Sequence, residues 1–356
     1  MADPGSAVTE QSGNRTLRAT ALVEDGYHEL GFWYPVLRLR ELGAHLSVAG
    51  PAADQTYMSV LGYPVIPDED LSAAAKQEPD LLIMPGGEAA QRLATSELAN
   101  ALIKDCEARG HAVIWTGDPD ALPSLVATAA AIPDEPHLRG RRVLVLAESQ
   151  YQELELWYPV LRFRGAGADV VVASPLRGAL YASKIGYPVR SDCSVDEIAP
   201  ADVDVLIIPG GFAPEGMRRS QPLLDLVRKV YDNGAVVAAI CHAGWVLVSA
   251  GLARGHRLTC VPIIRDDVIS AGADYVDEPV VRDGNLITSR LPNDLPAFCA
   301  EIGAALREPT AGGDGHSWPA PASRVSMAAY SVAAELRMAP VGPANANYRA
   351  VSVPAG

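Results

Sequence analysis

The chain has 356 residues, nearly half of them hydrophobic and a fifth charged, so a globular fold with room for two ordinary domains is expected. Its 29 Lys and Arg stand against 43 Asp and Glu, a net charge of −14, which argues against a nucleic-acid or anionic-membrane partner, since either needs a basic surface. Five scattered cysteines (Cys106, Cys193, Cys241, Cys260 and Cys299) without CxxC spacing read as reduced thiols, not a disulfide framework. No apolar signal core opens the chain and no apolar run reaches membrane-spanning length, so a cytoplasmic protein is expected.

In chain order, residues 1–16 read as a disordered leader. Ala19–Val23 is a first strand, followed by YHELGFWYPVLRLRELGA from Tyr27. Its counterpart YQELELWYPVLRFRGAGA begins at Tyr151, an offset of 151 − 27 = 124. The same offset relates Gly62–Val65 to Gly186–Val189, both GYPV, and Pro85-Gly86-Gly87 to Pro209-Gly210-Gly211. Three matched blocks in one register are an internal repeat. Each copy runs strand, helix, strand, extended stretch, then a strand ending in PGG. Continuous apolar strands alternating with helices predict a parallel sheet covered on both faces, with ligands at the carboxyl ends of its strands. The copies are expected at 17–131 and 142–307, joined by a Pro-rich linker at 132–141. Copy two alone continues, with strands near Arg257–Val261, Val280–Arg282 and Leu286–Ser289, then a helix from about Asn293. Residues 308–356 read as a Pro- and Ala-rich tail, with helical spacing at 323–338 that could cover surface left open by copy one's missing extension.

The chain's chemistry concentrates at Gly234–Gly251, GAVVAAICHAGWVLVSAG. An apolar strand ends at Cys241-His242, small residues follow, and a helical pattern begins. This is the layout of a nucleophile elbow carrying a thiol, and the helix N-terminus is expected to favour thiolate. Copy one reads Gly117-Asp118 at the same place, which suggests that it keeps the turn and has lost the thiol. No His spacing suits a metal.

With IIPGGFAPE, AAICHAG and the closing IRDD…SRLPNDLPAF, these blocks resemble the ThiJ/PfpI superfamily from about Leu17 to Leu306. The resemblance implies two tandem flavodoxin-like α/β sandwiches, related to class I glutamine amidotransferases, paired as a pseudo-dimer. It implies a cysteine-dependent hydrolase or lyase acting on a small-molecule carbonyl electrophile, glyoxalase-, deglycase- or hydratase-like, without metal or organic cofactor. Its non-catalytic stress and redox-sensing members supply the alternative. A homo-oligomer of pseudo-dimers is expected. Cys241 matches the nucleophile and His242 its neighbour. Gly210, Gly211, Ala243 and Val261 fall at oxyanion- or substrate-binding positions, with the N–H groups of Gly211 and His242 as the oxyanion donors. Glu215 matches an acid that reaches the His from a neighbouring subunit. Within one chain, pairing across that interface would set Cys241-His242 opposite the vestigial Gln91. Gln152 stands where the resemblance implies a proton-carrying acid, with His28 as its copy-one counterpart, so proton transfer would need another group such as Glu153 or Glu148.

Overall fold

The computed structural model describes residues 16–130, 138–308 and 318–320. Apolar runs of four to six residues, too short for buried helices, form the main strands. In copy one, β1 (Arg18–Leu22), α1 (Glu29–Glu41) and β2 (His45–Gly50) come first. The GYPV turn then joins β3 (Tyr57–Met58) to β4 (Pro64–Val65) in an antiparallel hairpin. Next are β5 (Glu69–Asp70), α2 (Leu71–Gln77, capped by the Asp70 side chain), β6 (Leu81–Pro85) and α3 (Glu88–Ala94). α4 (Glu97–Ala108, capped by Ser96), β7 (Ala112–Thr116) and α5 (Leu122–Ala129) complete the copy. Its sheet runs β5-β2-β1-β6-β7, all parallel.

Copy two repeats the plan with β8 (Arg142–Leu146), α6 (Glu153–Gly165), β9 (Asp169–Ser174) and the hairpin β10 (Leu180–Ala182)–β11 (Pro188–Arg190). It continues through β12 (Cys193–Ser194), β13 (Val205–Ile208), α7 (Ala213–Met217), α8 (Gln221–Asp232), β14 (Val236–Ile240) and α9 (Gly244–Ser249). The extension adds β15 (Arg257–Leu258), α10 (Arg265–Ser270), β16 (Asp274–Tyr275), β17 (Val280–Asp283), β18 (Leu286–Ser289) and α11 (Leu295–Arg307). The sheet order is β12-β9-β8-β13-β14-β18-β17, parallel except for β17. The strand expected over Arg257–Val261 is shorter, because Thr259 N–H donates to the Thr288 side chain instead of a strand neighbour and Pro262 opens a helical turn.

The repeat register holds in space. Tyr27 bridges Ser59 and Gly87, and Tyr151 bridges Ser183 and Gly211, each 124 residues on. The copies differ at one sheet edge. β14 is covered by β18, whereas among the described residues no strand pairs with the far side of β7, and Trp115 on it is 48 % exposed where copy two has the buried Ala239. The expected tail helix at 323–338 lies outside the described residues, as do 1–15 and most of the linker.

The copies meet through α1 and α6, each buried along nearly its whole length although it carries charged residues. A helix is buried all round when it packs on its own sheet with one face and on a second domain with the other. Tyr34 and Tyr158 face each other across this seam with ring centroids 5.7 Å apart. Glu41 anchors it: its carboxylate accepts from Tyr158 Oη (2.5 Å), Arg162 Nε (2.8 Å) and, within copy one, an Arg38 guanidinium nitrogen (2.9 Å). The equivalent residue in copy two is Gly165, where a Cβ would stand 2.6 Å from Pro123 Cβ, so one glutamate serves both arginines. Tyr27 and Tyr151 donate to the carbonyls of Tyr63 and Tyr187 in the two copies, as expected of architectural aromatics.

Candidate active site

β14 delivers Cys241 to the carboxyl end of the sheet, between the loop after β8 and the Gly210-Gly211 turn after β13. The backbone at Cys241 has φ +63°, a left-handed conformation that a side chain seldom adopts, held because β14 and the turn from Cys241 to Ala243 fix both sides. Gly117 in copy one is not in this conformation. Copy one has therefore lost the strained turn as well as the thiol, contrary to expectation: without a nucleophile to present, the chain relaxes.

The carboxylic acid beside Cys241 is Glu155, from the first turn of α6. It is buried, its Oε2 accepts from Gly210 N–H at 2.7 Å, and it acts directly on the thiol. Burial pushes its pKa up to about 8. Gln152 corrects the sequence reading. It is the N-cap of α6: its Oε1 accepts from Glu155 N–H at 2.8 Å and its Nε2 donates to Glu153 at 3.1 Å. Gln152 thus orients the helix turn that carries the acid. Glu153 and Glu148 do not replace it. Glu153 interacts with Ser183, as its copy-one equivalent Glu29 does with Ser59, so that pair belongs to the architecture. Glu148 accepts from Ser149 N–H and packs against Gly216 on α7. In copy one the Glu155 position is Gly31, where a Cβ would meet the Thr116 carbonyl at 2.7 Å, so no room for an acid is left. A helical spacing of three residues from Gln152 could have found Glu155, since i and i+3 share a helix face.

Burial and the neighbouring Glu155 raise the Cys241 pKa well above the ordinary thiol range, while backbone N–H groups of Gly211 and His242 lower it. Desolvation thus opposes the expected thiolate bias, and α9 is a helix of only six residues. The two N–H groups converge on the sulfur, the arrangement expected of oxyanion donors. Gly210 N–H is not one of them, being committed to Glu155. Both glycines are required: a Cβ at Gly210 would stand 2.7 Å from Cys241 Cβ and from Glu155 Oε2, and one at Gly211, where φ is +74°, 2.5 Å from the Gln150 carbonyl. Gly210→Ala is expected to cut Cys241-dependent turnover by at least about tenfold through displacement of the thiol, read as kcat/KM.

His242 Nδ1 lies 3.4 Å from the sulfur. Burial, and after it Lys184, lowers its pKa, and Glu215 acts in the opposite sense, so the imidazole is neutral at pH 7. Glu215 is exposed on α7, within the same chain as His242. Gln91 is exposed on α3, while the copies meet through α1 and α6, not across the interface that the expected opposition needs. Ala243 is buried in the turn, and Val261, buried beside it, donates its N–H to the Cys241 carbonyl at 3.4 Å. Cys260 packs under Gly244 with its pKa pushed up to about 12 by burial, an inert thiol. Of the vestigial set, His28 is buried against Gly86 and Gly87 with its pKa lowered, and Asp118 caps the short turn after β7. Among the described residues no group of His, Cys, Asp or Glu could hold a metal ion, and no helix is long and apolar enough to cross a membrane.

Comparison with known proteins places this arrangement. A deglycase of Pyrococcus abyssi is 43 % identical over 166 residues, 47 % of this chain and 99 % of the relative. Protein/nucleic acid deglycase 2 of Escherichia coli is 38 % identical over 164 residues, 46 % of this chain and 95 % of that one. The crystal structure of Drosophila melanogaster DJ-1beta is 30 % identical, with a TM-score of 0.45 over 56 % of this chain and 99 % of that one. The model of the DJ-1/PfpI family matches twice, at residues 17–115 and 141–305, once in each copy. The chain belongs to the DJ-1/PfpI family as a tandem member whose second copy alone carries a cysteine at the strand-to-helix turn.

Proposed function

We propose that the chain is a cysteine-dependent enzyme acting on a small electrophilic carbonyl compound in the deglycase or glyoxalase manner, with no metal or organic cofactor. The observation that carries this reading is the placement of Glu155 beside Cys241 under two convergent N–H donors. A carboxyl raised to about 8 is a stronger base than an ordinary one and better matched to a thiol. Cys241 Sγ attacks the carbonyl carbon as its proton passes to the Glu155 carboxylate. The S–C bond forms, the C=O π pair moves to oxygen, and the N–H groups of Gly211 and His242 hold the resulting charge. Return of the proton from Glu155 to that oxygen gives a neutral thiohemiacetal. The neutral imidazole of His242 can then exchange protons with bound substrate or water. A redox-sensing role is less well supported: sensor thiols are exposed and of low pKa, while Cys241 is buried and shifted the other way. The test is methylglyoxal consumption. Wild type should turn it over, and Cys241→Ser should lose at least about 10³-fold in kcat/KM; a loss below about tenfold would remove Cys241 from the chemistry.

A further inference from the structure

Comparison of the two copies separates architecture from chemistry. Residues kept in both, such as Tyr27 and Tyr151 or Glu29 and Glu153, hold the fold. Those that copy one has lost together are Cys241 (Gly117), His242 (Asp118) and Glu155 (Gly31). One more polar residue at this site follows the same pattern. Lys184 corresponds to Val60, and the two occupy the same backbone place: Lys184 N–H donates to the Tyr151 carbonyl at 2.9 Å and Val60 N–H to the Tyr27 carbonyl at 3.0 Å. Only the side chain has changed between the copies.

Lys184 is half-buried near the site. Its Nζ stands 5.3 Å from the ring centroid of Phe212, the residue after the Gly210-Gly211 turn. The Phe212 ring lies 6.1 Å from that of His242, which in turn adjoins Cys241. A cation–π contact thus holds the ammonium over Phe212, whose ring neighbours that of His242. The field of the ammonium reaches His242, Glu155 and Glu153 alike. Burial raises the two carboxyls within its reach, Glu155 to about 8 and Glu153 to about 7, so near neutral pH each carries less than a full negative charge. A cation so placed helps bind an anion on the reacting molecule. Its single charge matches a carboxylate better than a phosphate dianion.

We propose that Lys184 is a substrate-binding residue that selects electrophiles carrying a carboxylate next to the reactive carbon, of the 2-oxo acid type, over their neutral counterparts. This rests on the reading of Cys241 as a nucleophile toward small electrophiles, and its test is independent of turnover. Iodoacetate and iodoacetamide differ only in carrying a carboxylate or a neutral amide. The second-order rates at which each alkylates Cys241 would be measured by peptide mass mapping in wild type, Lys184→Met and Lys184→Arg. The ratio of the two rates cancels any change in thiol ionisation or access that a merely structural role would cause. The iodoacetate to iodoacetamide ratio is expected to fall about tenfold in Lys184→Met and to recover in Lys184→Arg, as loss of one favourable charge–charge contact at intermediate dielectric implies. A ratio in Lys184→Met within about twofold of wild type would overturn the proposal, even if methylglyoxal turnover were intact. A fall in Lys184→Met that Lys184→Arg fails to restore would likewise overturn it, since charge would not be the cause. Loss of turnover in all variants with the ratio still shifted would instead count against the proposed reaction and leave Lys184 as an anion-binding residue.

Discussion

Glu155→Gln is expected to lower kcat/KM by about 10² to 10⁴, the range for removal of a positioned acid–base group. The amide still accepts the Gly210 N–H, so the turn is preserved and the loss reports proton transfer. Gln152→Glu, which keeps a capping oxygen on α6 but loses the donor to Glu153, should stay within about tenfold of wild type. The pH dependence carries the sign. Glu155 works as a base only when ionised, so wild-type kcat/KM rises with pH and levels off above about 8, and Glu155→Gln lacks that limb. Stability moves in the opposite direction. The folded carboxyl is raised from 4.5 to about 8, so the native state holds a proton that the unfolded chain has released between those values. The contribution of this group is therefore fully present below about pH 4.5 and lost as pH rises toward about 8, with Glu153 adding to the loss up to about 7. Chemical denaturation of wild type and Glu155→Gln at pH 5 and pH 8 measures it: the variant should gain relative to wild type on going to pH 8. Equal pH dependence in the two proteins would show that Glu155 is not the group that titrates.

Glu41→Ala is expected to destabilise the protein by about 3–5 kcal/mol, the range for removing one partner of a buried ion pair. The reason is an imbalance between the copies. Arg38 and Arg162 are equivalent residues, both nearly buried, and both pair with the carboxylate of Glu41, copy two having Gly165 at the equivalent place. Removing Glu41 takes a buried carboxylate away from two guanidinium groups in the seam and from the Tyr158 hydroxyl. Tyr158→Phe removes one of these bonds and should cost only about 1 kcal/mol. Urea denaturation followed by intrinsic fluorescence separates the cases, and a cost below about 1 kcal/mol for Glu41→Ala would show that water replaces the carboxylate. The seam also supports α6, whose first turn carries Glu155, so the same lesion should loosen the site from a distance.

The repeat, the alternation of strands and helices, and the thiol on a strand-to-helix turn are all legible in the order of the amino acids. Each is a property of spacing along the chain: the 124-residue offset, apolar runs of strand length, and small residues flanking Cys241. The tertiary structure decided which acid meets that thiol, because this depends on the direction in which the first turn of α6 presents its side chains. Gln152 is spent on the cap and Glu155, three residues on, points inward. The ionisation of Cys241 was likewise out of reach, since burial and a nearby carboxyl set it, and neither is a local property. The relaxed backbone at Gly117 could not be read either: a glycine permits the strained turn but does not require it, and only the contacts on both sides of Cys241 impose it. Lys184 escaped for the same reason, lying 57 residues before the thiol in a hairpin whose fold alone brings its ammonium near the site.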